Sequence, residues 1–290
     1  MKSTTMHRAG RAVAAAAALT AAAACTSSGS PGDSPDHSPQ PRKDPGRAAS
    51  LAALRAAAHA TGRAGTARVE STTRLGALMS MTARGALGWG DGVTGTLTLT
   101  YTGGTLADTM RRLGTPSMQA RYLPDAYYAR MGDKFAEQAG GRHWIRYAYA
   151  DLEALAGGSG ALLRDQMRTT TPHQSVKLLL ASADLRRVGR ETVRGERATH
   201  YSGTVNAADV TDPGLRKQLT EAGVRAETVD VWVDEQHLLV KKVEKARTAT
   251  GPLTQTAYYD DYGVKVSADR PPAGDTQDVR ELMGRESTTP

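Results

Sequence analysis

The stretch VTGTLTLTYTG, residues Val93–Gly103, decides the fold class. Val93, Leu97, Leu99 and Tyr101 share one parity, and Thr94, Thr96, Thr98 and Thr100 lie between them. Successive strand side chains point to opposite faces, so this period of two describes a strand with one dry face and one wet face. The same alternation runs on both sides. Upstream lie TARVESTTRL (66–75) and SMTARGALGWG (80–90); downstream lie SMQARYL (117–123), AYYARM (126–131) and HWIRYAY (143–149). Glycine-rich turns separate them, which points to consecutive antiparallel hairpins in a meander.

Helical patterns interrupt the strands. AASLAALRAAAHA (48–60) places Leu51, Leu54 and Ala58 on one stripe. DLEALAGGSGALLRDQM (151–167) reads as two short helices or an irregular loop. TPHQSVKLLLASA (171–183) has Thr171 as N-cap, Pro172 at the first helical position and Gln174 three residues after the cap. DPGLRKQLTEAG (212–223) is capped by Asp212, opened by Pro213 and ended by Gly223.

Between and after these lie more strands: DLRRVGRETV (184–193), ERATHYSGTV (196–205), AETVDVWVDEQHLLVKKVEKART (226–248, with a turn at DEQH), LTQTAYYDDYG (253–263) and the short VKVSA (264–268). Val229, Val231 and Val233 share a face. A short helix is expected in the tail DTQDVRELMGRE (275–286). Mostly antiparallel strands with a few inserted helices make an α+β fold, and the helices are the natural cover for the apolar face of the sheet.

The N-terminus carries a different message. Lys2, Arg8 and Arg11 precede an apolar run, Ala12–Ala24, broken only by Thr20. A spanning helix needs about 20 apolar residues, so this shorter run reads as the core of an export signal. It ends in small residues followed by Cys25, the one cysteine of the chain. That arrangement resembles the lipobox of bacterial lipoproteins, with Ala22 where leucine is commonest, and implies acylation of Cys25, as with palmitate. Acylation would also remove a free thiol that an oxidising compartment disfavours. The following Ser/Pro-rich segment TSSGSPGDSPDHSPQPRKDPGR (26–47) has no apolar face to bury and reads as a disordered tether spanning on the order of 25 Å. The expected organisation is a signal at 1–24, an acylated Cys25 with its tether at 25–47, a folded domain at 48–274 and a tail at 275–290.

Charge and motifs narrow the function. Removing residues 1–24 takes three of the 37 basic residues and none of the 30 acidic ones, so the net charge falls from +7 to +4. Basic residues alternate with acids, as in RRVGRETVRGER, and no basic stripe with stacking aromatics is present, so nucleic acid is not an expected partner. The seven histidines show no ligand spacing, and GxSxG, P-loop and GxGxxG motifs are absent. His143 and His200 read as satisfied strand histidines, and the pairs Asp230/Asp234 and Asp260/Asp261 as solvated acids. No enzyme, metal site or cofactor is expected. The richness in Ala, Gly and Arg suggests an actinobacterial source.

TARVESTTRL, DAYYARMGD, RHWIRY, THYSGTV and above all VDVWVDEQHLLVKKVE (229–244), in that order, resemble the actinobacterial lipoproteins of the LppX/LprG group with the LolA-like fold. The most specific piece is Val231–Asp234 with the pair Lys241 and Lys242 after the turn. The resemblance implies a curved antiparallel half-barrel closed by helices, an apolar cavity between them, and an acyl chain in that cavity. The cavity-lining candidates are Met79, Met81, Leu97, Leu99, Met118, Tyr122 and Leu179. The implied function is that of a lipoprotein anchored through Cys25 on the extracytoplasmic face of the cell membrane, binding or carrying a lipid. The alternative is a non-enzymatic regulatory or sensing module on the same fold, acting on an envelope protein partner.

Overall fold

The structure, a computed structural model, describes residues 45–155 and 171–286. The signal at 1–24, Cys25, the tether up to Asp44 and the glycine-rich insertion Ala156–Gly160 lie outside the described residues.

Six strands follow one another in the N-terminal half: β1 (Thr66–Leu75), β2 (Met79–Gly88), β3 (Thr94–Gly103), β4 (Ser117–Tyr122), β5 (Ala126–Arg130) and β6 (Trp144–Ala148). Five more follow in the C-terminal half: β7 (Arg186–Val193), β8 (Glu196–Asn206), β9 (Ala226–Asp234), β10 (Leu239–Thr248) and β11 (Gly251–Asp260). The two meanders join where β1 pairs with β11, Val69 opposite Tyr259 and Ser71 opposite Ala257. With β12 (Thr276–Asp278) they form one open sheet in the order β12-β6-β5-β4-β3-β2-β1-β11-β10-β9-β8-β7. Every pairing is antiparallel except that of β12 with β6. The expected α+β fold with one large antiparallel sheet is the fold observed. Register shifts at Ser80/Met81 and Leu239/Lys241 mark irregularities in the sheet.

Local chemistry explains the turns. Arg194 and Gly195, between β7 and β8, both have positive φ (51° and 95°), the geometry of a two-residue hairpin turn whose twist matches the strands. Gly85 in β2 is required by contact: a Cβ there would lie 2.1 Å from the Thr96 carbonyl oxygen of β3.

Two helices cover the inner face of the C-terminal meander. α1 (Pro45–Ala64) starts three residues before the expected Ala48, with proline at its first position, and runs to Ala64, after which Gly65 takes a φ of 73°. Pro45–Arg47, expected as tether, are therefore helix. α2 (Gly104–Arg112), α3 (Asp133–Gln138) and α4 (Tyr149–Leu155) are short insertions among the strands. α5 (Pro172–Leu180) begins at the expected cap: Thr171 N–H donates to Gln174 Oε1 at 3.5 Å, and Thr171 Oγ1 lies 3.1 Å from His173 Nδ1. Leu54 and Ala57 of α1 and Val176 and Leu179 of α5 are fully buried in one core with Val205, Val229, Val231 and Leu239 of the sheet. Arg47 donates to the carbonyls of Ser182 and Ala183 at 2.8 and 2.7 Å, tying the start of α1 to the end of α5.

α6 (Pro213–Glu221) is capped by the Asp212 carboxylate, which accepts from Gly214 N–H and Leu215 N–H at 2.9 and 3.0 Å. Asp212→Ala leaves both donors without that acceptor and costs about 1 kcal/mol in urea denaturation, against a few tenths for Asp212→Gly.

The sequence pattern missed α2 and α3. Both follow a glycine, Gly103 and Gly132, with no side-chain cap to announce them. VKVSA was expected as a strand and is not one. Val264, Val266 and Ala268 do alternate with exposed neighbours, but no ladder pairs them. Side chains hold the segment that follows: Arg121 donates to the Asp269 carbonyl at 2.8 Å, and Arg270 makes two 3.0 Å contacts with Asp125. Residues 276–286, expected in the tail, supply β12 and α7 (Val279–Glu286), with Asp278 bridging Arg146 of β6 at 3.0 Å.

Candidate functional site

The inner face of β1–β4 alternates large and small side chains. Register puts Val69, Gly85, Leu97 and Ala120 in one row across the four strands. The next row is Ser71, Ala83, Leu99 and Met118. Small residues between the leucines leave space that side chains do not fill. The result is a pocket of about 280 Å³, lined also by Pro172 of α5 and by Ala257 and Tyr259 of β11.

Met79, Met81, Leu97, Leu99 and Tyr122, five of the seven residues anticipated from sequence, line this pocket. Methionine is flexible and polarizable, so Met79 and Met81 can shape themselves to irregular apolar guests. Met118 and Leu179 do not line it. Met118 packs beside Tyr101, whose hydroxyl donates to Met118 Sδ at 3.9 Å. Leu179 is fully buried between α5 and the sheet, in the core formed with α1. Beyond Tyr122 the rings of Tyr127 and Tyr147 follow at centroid spacings of 5.1 and 5.7 Å. Burial pushes the Tyr122, Tyr127 and Tyr147 phenols above their ordinary range, so each stays neutral.

A second pocket of about 240 Å³ adjoins the first and shares Thr73, Lys242 and Gln255 with it. Leu178 of α5 and Leu215 and Leu219 of α6 give it an apolar roof. Its floor is charged. Lys242 is 4 % exposed, and its Nζ donates to Ser175 Oγ at 2.9 Å and to Glu244 Oε2 at 2.8 Å. Burial alone would lower the Lys242 ammonium, but Glu244, with Tyr259 and Glu227, holds it above the usual lysine range. Glu227 is 7 % exposed. Burial, then the Glu244 carboxylate, push it up to about 8 against the opposing pull of Lys242.

Sequence reading did not nominate Lys242, Glu244 or Glu227 as site residues. The signal was present: in AETVDVWVD, Glu227 has the parity of Val229, Val231 and Val233, an acid on the dry face of a strand.

The two strand histidines lie elsewhere. His143 Nδ1 sits 2.7 Å from Asp275 Oδ1. His200 stacks on Trp232 with ring centroids 4.1 Å apart and lies 2.9 Å from both Glu191 and Asp230. Trp232 has the parity opposite to Val231 and Val233, so this cluster is on the outer face, with Lys241 Nζ 3.9 Å over the Trp232 ring.

No family model matches the chain. The Streptomyces coelicolor candidate lipoprotein SCO4650 is 62 % identical over 235 residues, which are 81 % of this chain and 77 % of that one. An uncharacterised 31.2 kDa protein of Streptomyces griseus, encoded between rplA and rplJ, is 48 % identical over 248 residues, 82 % of this chain and 81 % of that one. Among solved structures, the chain is similar to the Mycobacterium tuberculosis lipoprotein LppX at 17 % identity and a TM-score of 0.46, covering 76 % of this chain and 99 % of that one. By its identity and coverage, the chain belongs to the same family as the Streptomyces coelicolor candidate lipoprotein SCO4650.

Proposed function

We propose that the protein is an envelope lipoprotein, anchored through an acylated Cys25 at the extracytoplasmic face of the cell membrane, that holds an acyl chain of a lipid in the pocket over Leu97 and Leu99. The observation that carries this reading is the row structure of β1–β4. Gly85, Ala83 and Ala120 alternate with Leu97 and Leu99, so the apolar face retains about 280 Å³ of unfilled space. Each methylene transferred into such a site gains about 0.8 kcal/mol, so a chain of ordinary length binds without covalent chemistry. The relative's designation as a candidate lipoprotein supports the anchoring. The constellation is a binding one: a greasy wall with a few polar groups at one end.

The test is mass spectrometry of the chain from residue 25 with Cys25→Ser, purified from a lipid-containing host. Native spectra are expected to show an added mass that disappears on denaturation. A clean apo mass, with no uptake of added phospholipid or fatty acid, would sink the carrier reading and leave a tethered interaction module. The anchoring is checked separately. The unsubstituted chain is expected in the membrane fraction carrying a diacylglyceryl adduct at Cys25, and Cys25→Ser is expected to lose both.

A further inference from the structure

The two pockets meet at Thr73, Lys242 and Gln255, so an amphiphile whose tail lies over Leu97 and Leu99 brings its head to Lys242, Glu244 and Glu227. Charges and hydrogen-bonding groups there are unequal in number. Two carboxyls face one ammonium. Lys242 Nζ already spends two of its N–H groups on Ser175 and Glu244. Glu244 binds Lys242 through Oε2, and Oε1 accepts from no described residue. Glu227, more than nine-tenths buried in the wall of the second pocket, accepts no hydrogen bond from any described residue.

Register orders these groups along the inner face. Glu244 lies opposite Val229 and Ala246 opposite Glu227, so Lys242, Glu244 and Glu227 succeed one another. The sequence of groups is a cation, an anion, then a carboxyl with no cation of its own.

We propose that this site takes the primary ammonium head of an amphiphile, seated between Glu244 and Glu227 with its tail in the apolar pocket. The proposal rests on the lipid-carrier reading and adds the head group to it. A primary ammonium offers three N–H donors, and the site offers three spare acceptors, both oxygens of Glu227 and Oε1 of Glu244. Hydrogen bonds from a cation to carboxylates are the strong kind. A phosphate or carboxylate head would instead bring a further anion against Glu244 and Glu227, and an alcohol or ester head leaves most of the acceptors unused.

The groups facing this head are Glu244 and Lys242 of β10, Glu227 of β9 and Tyr259 of β11, with the uncharged Ser175 and Gln174 of α5 and Gln218 of α6. With Glu227 raised to about 8, the carboxyl holds its proton at neutral pH. An arriving ammonium replaces that proton. Binding therefore releases about one proton, and affinity rises as the pH is raised toward 8, by up to about tenfold per pH unit, and levels off above it.

The experiment uses the chain from residue 25 with Cys25→Ser and three probes of equal tail: dodecylamine, dodecanol and dodecanoate, each below its micelle concentration. Calorimetric titration at pH 7 in two buffers of different ionisation enthalpy counts the protons exchanged. Dodecylamine is expected to bind at least about tenfold more tightly than dodecanol, since a cation paired with buried carboxylates outweighs a neutral head, and to release protons. Glu227→Gln is expected to remove both the preference and the proton release while dodecanol binding persists, which shows the variant folded. Dodecylamine binding no better than dodecanol overturns the head-group site and leaves the carrier reading standing. Dodecanoate binding most tightly, or an unchanged amine preference in Glu227→Gln, overturns it equally. If none of the three probes binds, the carrier reading falls with it.

Discussion

Lys242→Ala lowers the unfolding free energy by about 3–5 kcal/mol in urea denaturation at pH 7. Lys242 is 4 % exposed, and its ammonium bridges Ser175 of α5 to Glu244 of β10. Its loss strands the Glu244 carboxylate on an apolar face and frees a hydroxyl that helps hold α5 to the sheet. The cost belongs to the partner left behind, not to the pair itself. The double variant Lys242→Met with Glu244→Leu is therefore expected within about 1 kcal/mol of the wild type, or above it, because neither charge remains to be desolvated. A loss below about 1 kcal/mol for Lys242→Ala is the value of an exposed pair and would show that the network is solvated.

Glu227→Gln shows its largest stability effect at alkaline pH. The Glu227 carboxyl titrates near 4.5 when unfolded and at about 8 when folded. Between those values the native state binds a proton that the unfolded state does not. Stability at this site is therefore full below about pH 4.5 and declines as the pH rises through 8. Each pH unit between the two values is worth about 1.36 kcal/mol, which puts the ceiling on the decline at about 4–5 kcal/mol. The amide of the Glu227→Gln variant carries no titrating proton to lose. The difference in stability, variant minus wild type, is expected to widen from pH 5 to pH 8.5 and then level off, read by denaturant midpoints across pH. A difference that stays flat over that range would mean that Glu227 titrates as an exposed acid.

Much of the fold was legible because period two is a local property. The alternation in VTGTLTLTYTG required only that leucine and threonine prefer opposite environments, and it placed Leu97 and Leu99 on the face that holds the pocket. Caps were legible for the same reason. Asp212 and Thr171 act within three residues of themselves. α2 and α3 were not legible, since each starts after a glycine without a capping side chain.

The site was half legible. Met79, Met81 and Tyr122 share their pocket with Leu97 and Leu99 because each lies on the inward parity of a strand, and parity is written in the sequence. Leu179 has equal apolar character but sits on a helix, where the choice between pocket and core depends on how the helix is rotated over the sheet. Met118 lies in the right row but near its end, where Tyr101 takes it up.

The sequence by itself determined the class of the fold, the strand parities, the capped helix starts and the expectation of an acylated cysteine, because each depends on neighbours within a turn or two of chain. Only the tertiary structure decided that β1 pairs with β11, that 276–278 complete the sheet edge, and that Lys242 meets Ser175 across 67 residues of chain. Those contacts depend on which surfaces are left to bury once the local elements have formed. A buried charge network is the extreme case. Parity in the sequence puts Glu227 on the dry face, but only the packing of the helices over that face removes the water from Glu227 and Lys242 and sets them beside Glu244 and Ser175.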